Sequence, residues 1–121
     1  MVSWRPAFEK AYLDAGAVVI RPGCVYGKGG SLLGMLFGQL TAGKAVFPGT
    51  GNQTWTFVHT DDLAQLYLLA GENPSVSRGQ VFNGITNVDN YGEVAKAAAA
   101  VVGYTVSVFF WIGFDLNLGR D

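Results

Sequence analysis

The sequence has little with which to hold a metal, cross a membrane or grip nucleic acid. It contains one cysteine, Cys24, and one histidine, His59, in 121 residues. A lone cysteine forms no internal disulfide, and one Cys with one His offers no zinc-ligand spacing. No metal site is expected, and a reducing, cytoplasmic setting fits best. Charged residues make up only 14% and the net charge is −1, which argues against an electrostatic footprint for nucleic acid. The start, Met1-Val2-Ser3-Trp4-Arg5-Pro6, lacks the basic and apolar regions of a secretory signal. The most apolar late stretch, Val106 to Phe114, is far shorter than the roughly 20 residues a membrane helix needs. Neither nucleic acid nor a membrane is therefore expected as a partner, and the oligomeric state stays open.

What is present is apolar and aromatic: half of the residues, enough for a modest core in one domain's length of chain. Trp4 to Leu13 reads as a short helix with Ser3 as its cap, Pro6 in its first turn, Phe8, Tyr12 and Leu13 on one side and Gly16 as its stop. Ala17 to Ile20 is a continuous apolar run, the pattern of a strand buried on both faces in a parallel sheet. Ser31 is placed to cap a helix reaching about Ala42, with an apolar face of Leu32, Leu33, Met35, Leu36 and Leu40 and with Gly43 ending it. Ala45 to Phe47 is strand-like, and Pro48 to Asn52 is a turn by composition.

Thr54 to His59 alternates as an extended segment with Trp55, Phe57 and His59 on one side. Thr60-Asp61-Asp62-Leu63 is a helix start, a hydroxyl cap followed by two carboxylates in the positive first turn, with Leu63, Leu66, Tyr67 and Ala70 at helical spacing. Gly79 to Ile85 is a further strand and Tyr91 to Val102 an alanine-rich amphipathic helix. From Tyr104 the pattern is lost, and residues 104–121 are an apolar tail without assignment, one possibility being a terminal strand with an exposed apolar face.

The glycine-rich stretch Arg21 to Gly30 invites a phosphate-binding reading, which the spacing does not sustain. Gly27-Lys28-Gly29 opens a G-x-G-x-x-G pattern, but Leu32 stands where the third glycine belongs, and Gly43-Lys44 is followed by Ala45 rather than Ser or Thr. The loop is expected to make a turn or line a pocket.

Two strings in order carry a family resemblance: Val18-Val19-Ile20-Arg21-Pro22-Gly23-Cys24-Val25-Tyr26-Gly27, then Trp55-Thr56-Phe57-Val58-His59-Thr60-Asp61-Asp62-Leu63-Ala64. They resemble the extended short-chain dehydrogenase/reductases, the NAD-dependent epimerase/dehydratase group, over about residues 4–103. The resemblance implies an α/β fold: the C-terminal part of a Rossmann-like parallel sheet plus a small mixed α/β substrate-binding lobe within residues 1–103. It places Pro22, Gly23 and Val25 beside a nicotinamide, with Arg5 near the position of the family's lysine and able to bind ribose hydroxyls. Cys24, Tyr26, Trp55 and His59 would meet substrate, and His59 with Asp61 and Asp62 would fix the strand-to-helix corner that closes the pocket.

None of Tyr12, Tyr26, Tyr67, Tyr91 or Tyr104 has lysine four residues later, so the family's Tyr-x-x-x-Lys pair is absent and no catalytic residue is assigned. The glycine-rich cofactor fingerprint is also missing. The resemblance therefore implies NAD or NADP in a full-length relative and weak or no dinucleotide binding by this chain. Trp55 stands where nucleotide-sugar members often carry arginine, which favours a smaller or more apolar carbonyl or alcohol substrate. Beside this oxidoreductase or epimerase fragment stand a ligand-sensing module of the same fold and a truncated product without a function of its own.

Overall fold

The computed structural model describes residues 3–42, 44–45, 51–108 and 116–120. Helix α1, Arg5–Asp14, has its proline in the first turn, where a missing N–H costs nothing, and ends at Gly16, whose φ of +80° suits a residue without a Cβ. Its N-cap position is held by Trp4 with helical dihedrals and no side-chain bond, so Ser3 does not cap it. Strand β1, Val19–Pro22, follows, and after Gly23 comes β2, Cys24–Tyr26. Helix α2, Ser31–Thr41, has Gly30 rather than Ser31 at its N-cap position, although Ser31, with a φ of +78°, still accepts the Gly34 N–H on its Oγ at 3.2 Å.

Strand β3, Lys44–Ala45, precedes β4, Thr54–His59, and α3, Thr60–Glu72. The short α4, Pro74–Ser77, and strand β5, Val81–Gly84, come next, then β6, Asn87–Asn90, and α5, Tyr91–Val101. Asn90 caps α5, its Oδ1 accepting from Gly92 N–H at 2.9 Å and Glu93 N–H at 3.4 Å. The unassigned tail contains two strands, β7, Tyr104–Val108, and β8, Leu116–Arg120, paired antiparallel with Tyr104 opposite Arg120, and β8 also pairs antiparallel with β3. Of the strand-like run 45–47 only residue 45 is among the described residues, as are only 51 and 52 of the expected turn 48–52.

The strands form three small sheets: β1 parallel to β5; β2 parallel to β4, which is antiparallel to β6; and β3-β8-β7. Two stretches of chain pass from the first sheet to the second. Residues 19–26 leave β5 for β4 at Gly23, and residues 81–90 leave β1 for β4 at Ile85 and Thr86. Backbone bonds staple the crossing: Gly23 N–H donates to Gly84 O at 3.0 Å and Thr86 N–H to Phe57 O at 2.8 Å.

The core lies where α2 and α5 cover one face of β2-β4-β6. Leu36, Leu40, Phe57, Tyr91, Ala95, Ala98 and Ala99 are buried there, with Cys24, Tyr26, Leu33 and Trp55 packed against them. Alanine on the inner face of α5 lets that helix lie close to α2. Burial corrects several of the expected faces. Leu32 and Met35 are exposed, and so is Tyr67. The β1 run is not buried on both faces, because β1 has one strand partner and leaves Arg21 and Pro22 exposed. Trp4, Phe8 and Tyr12 of α1 are likewise more than half exposed.

An ion pair ties α1 to β1. Arg21 Nη2 donates to Glu9 Oε2 at 2.5 Å and Nε to the same oxygen at 3.1 Å. The hydrogen bond from Arg21 holds the Glu9 carboxyl below its ordinary value, ahead of an opposing desolvation and the attraction of Arg21 and Arg5. A carboxyl depressed in the fold adds stability above its unfolded pKa, and that contribution is lost as pH falls through the folded one. Thermal melts of the wild type and Glu9→Gln should therefore differ at neutral pH and converge once acid has protonated Glu9. A gap that persists unchanged in acid would show that the carboxylate charge is not its source.

Candidate functional site

Two concavities lie against the segment Arg21 to Gly27. The first, about 650 Å³, is a groove between α1 and β1, lined by Arg5, Glu9, Tyr12, Arg21, Pro22 and others, with Tyr67 of α3 at its side. The second, about 660 Å³, lies between α2 and α5, where Tyr26 is flanked by Leu33, Phe37, Val94, Ala97, Ala98 and Val101, with Asp89 and Glu93 the charged members of the wall. Both volumes fall in the range of small-molecule sites.

Glycine is required at two points of the segment by close approach. A Cβ on Gly23 would stand 2.8 Å from Thr56 O and 2.9 Å from both Thr56 C and Oγ1, and one on Gly27 would stand 2.5 Å from Thr60 Oγ1. These glycines let β2 press against β4 and the start of α3. The later ones, Gly29 and Gly30, meet nothing within 4 Å. β2, α2 and β4 form a parallel βαβ unit, yet residues 27–32 line neither concavity, so their amides do not converge on either.

The residues picked from sequence divide between these places. Arg5 and Pro22 line the groove, and Gly23 and Val25 lie on the backbone that leaves it. Tyr26 lines the second cavity. Cys24, Trp55 and His59 line neither. Cys24 and Trp55 pack on the core, with the Trp55 ring 4.8 Å from that of Tyr91. Burial pushes the Cys24 thiol up, which disfavours the thiolate a nucleophile would need. Burial also raises Tyr91, with the charge of Cys24 as the second cause.

His59 stands behind Tyr26, the two rings edge to face at 5.2 Å. It is also the N-cap of α3, a position expected for Thr60: its Nδ1 accepts the Asp61 N–H at 3.3 Å. The same Nδ1 lies 3.6 Å from Asp61 Oδ2. Asp62 Oδ2 accepts from Thr86 Oγ1 at 3.0 Å, joining α3 to the crossing between the sheets. The corner formed by His59, Asp61 and Asp62 is thus held by its own hydrogen bonds. No group of three or more metal-ligating side chains occurs among the described residues, and no described helix is long and apolar enough to cross a membrane.

Several residues at these places escaped the reading of the sequence. Arg21 and Glu9 meet across twelve positions, which no local pattern announces. Asp89 and Glu93 were legible in part, because Asn90-Tyr91-Gly92-Glu93 has the spacing of a helix cap followed by an acid at the third helical position.

Comparison with known proteins agrees with this geometry. The model of the "NAD dependent epimerase/dehydratase family" matches residues 4–83, from the head of α1 into β5. A protein of Arabidopsis thaliana named "Epimerase family protein SDR39U1 homolog, chloroplastic" is 34% identical over 101 residues, 82% of this chain and 28% of that protein. The X-ray structure of Pal from Bacillus thuringiensis superposes with a TM-score of 0.62 at 19% identity, covering 82% of this chain and 34% of that one. That likeness establishes the fold, α/β and partly Rossmann-like. The chain spans about a third or less of the length of these relatives. With two thirds of its residues under the family model and both motif segments inside the match, the chain belongs to the NAD-dependent epimerase/dehydratase family.

Proposed function

We propose that this chain supplies the nicotinamide-facing and substrate-facing walls for an NAD(P)-linked oxidation, reduction or epimerisation of a small carbonyl or alcohol compound. The observation that carries this reading is the course of residues 21–27 between a groove bearing Arg5 and Pro22 and a cavity bearing Tyr26. In it, Arg5, Pro22, Gly23 and Val25 attend the cofactor. Tyr26 meets substrate, while Cys24, Trp55 and His59 act by seating Tyr26 and the strand ends. The fit to a dinucleotide is one-sided. The groove offers an arginine and a proline-glycine turn for a ribose and a flat ring, and the glycine-loop amides border neither concavity.

That one-sidedness sets the test. Amide chemical-shift perturbation and calorimetry of this chain with NADH and with reduced nicotinamide mononucleotide should give weak, closely similar affinities, within about threefold. The shifts should centre on Gly23 and Val25. Micromolar binding of NADH, far tighter than the mononucleotide, would overturn the reading, as would shifts confined to residues away from 21–26. The runner-up is a ligand-sensing module without turnover, favoured by an arginine in the groove near the family's lysine position, since its guanidinium stays protonated.

A further inference from the structure

The cavity between α2 and α5 has an unusual wall. Trp55 of β4 pairs with Asp89 of β6, which puts the Asp89 side chain on the same face of the sheet as Trp55, the face those helices cover. Around it stand Tyr26, Leu33, Phe37 and Val94. Asp89 is only half-buried there, so its carboxylate keeps much of its hydration and attracts a cation rather than requiring one. Asp89 receives only the side-chain amide of Asn87 and has no cationic partner among the described residues. Glu93, on the first turn of α5, adds a second negative charge to the rim. Its Oε1 is paired with Lys96 Nζ at 2.7 Å, but Lys96 does not line the cavity.

We propose that this cavity binds an apolar amine, with its ammonium group on the Asp89 and Glu93 carboxylates and its body against Tyr26, Leu33, Phe37 and Val94. The proposal rests on reading the cavity as the substrate side and narrows the substrate class to amine-bearing carbonyls or alcohols. Three features converge on it. The charge is complementary to a cation and repels phosphate, so a nucleotide diphosphate is disfavoured. The Tyr26 ring lines the same space and can meet an ammonium with its face. The remaining lining is aliphatic or aromatic and suits a hydrocarbon body.

Three matched probes test it on the full chain without dinucleotide: 1-naphthylmethylamine, 1-naphthylmethanol and 1-naphthoate, titrated calorimetrically. The amine should bind at least about tenfold more tightly than the alcohol, and the carboxylate most weakly. The preference should shrink with added salt, fall in Asp89→Asn and survive in Asp89→Glu. Ala97→Phe, at an exposed lining position, should weaken amine and alcohol alike by filling the cavity. Glu93→Gln, at a side chain 68% exposed, provides a second charge deletion. Equal affinity for amine and alcohol, no binding of any probe, or a preference unmoved in both Asp89→Asn and Glu93→Gln would overturn the proposal. Because the mononucleotide titration reads the opposite groove, either result stands without the other.

Discussion

Replacing Gly23 with alanine should destabilise the protein by about 3 kcal/mol, in the upper part of the range for overpacking. Two of the three atoms the new methyl would meet, Thr56 O at 2.8 Å and Thr56 C at 2.9 Å, are backbone. They belong to β4, the central strand of its sheet, fixed by β2 on one side and β6 on the other. Neither neighbour can swing aside as a flexible side chain would. Thr56→Ala should therefore recover only the smaller part of the loss, since it clears Oγ1 and leaves the carbonyl. Gly29→Ala is the matched control: its Cβ meets nothing within 4 Å and its φ is not in the left-handed region. There the shorter list of unfolded conformations should leave stability unchanged or raise it by up to about 1 kcal/mol. Urea midpoints of the four proteins, with m-values to confirm a common unfolded state, decide it. If Gly23→Ala and Gly29→Ala gave the same midpoint, the close crossing of β2 over β4 would be wrong, and with it the division of the site into two concavities.

How far these features could be read in advance depended on whether the cause was local. The α3 start was legible because two carboxylates at 61 and 62 oppose the helix dipole within one turn. The cap was missed by one residue, because a hydroxyl at Thr60 looked more suitable than an imidazole at His59. Helix α2 showed its inner face in part, since Leu36 and Leu40 are buried but Met35 of the same expected face is exposed, and α5 was legible as an alanine-rich amphipathic helix. Strand β6 was invisible: Asn87-Val88-Asp89-Asn90 is poor strand material by composition, and it is held extended by its pairing with the distant β4 residues Thr54 to Phe57. The tail's two strands were hidden for the same reason, since β8 is defined by its antiparallel partners β7 and β3.

The site was legible as a motif and illegible as a place. The string Arg21 to Gly27 marked the segment, yet it could not say that alternate residues would face different partners. Cys24 and Tyr26 join the α2 and α5 side, whereas Pro22 stays in the groove beside α1. The sequence reading grouped Cys24, Tyr26, Trp55 and His59 around one substrate. In the fold Tyr26 lines the cavity between α2 and α5, while Cys24 and Trp55 pack against the core and His59 meets the Tyr26 ring edge to face. A side chain two positions along a strand shares a face, but whether that face meets a helix or a ligand is decided by elements far away in sequence.

Phe57→Ala should be the most damaging single truncation, costing about 3–5 kcal/mol, as removal of a buried aromatic ring commonly does. Phe57 is 2% exposed and the largest of the side chains sealed in the core. It sits at the middle of β4, with Cys24 and Asn87 as its strand partners, and its ring meets that of Tyr26 edge to face at 6.5 Å. A domain of this size has about 5–15 kcal/mol in hand, so the variant should be partly unfolded at moderate temperature. Phe37→Ala tests the location of that loss. Phe37 is 37% exposed on α2 and lines the cavity, so it leaves no sealed void and should cost well under half as much. Phe57→Leu, which keeps most of the volume, should cost less than about 1.5 kcal/mol. Denaturant melts order the three variants, and an equal loss in Phe37→Ala and Phe57→Ala would place the core elsewhere. The chemistry follows from the packing: with Phe57 gone, Tyr26 loses the ring beneath it, so Phe57→Leu should retain binding in the α2–α5 cavity at temperatures where Phe57→Ala has lost it.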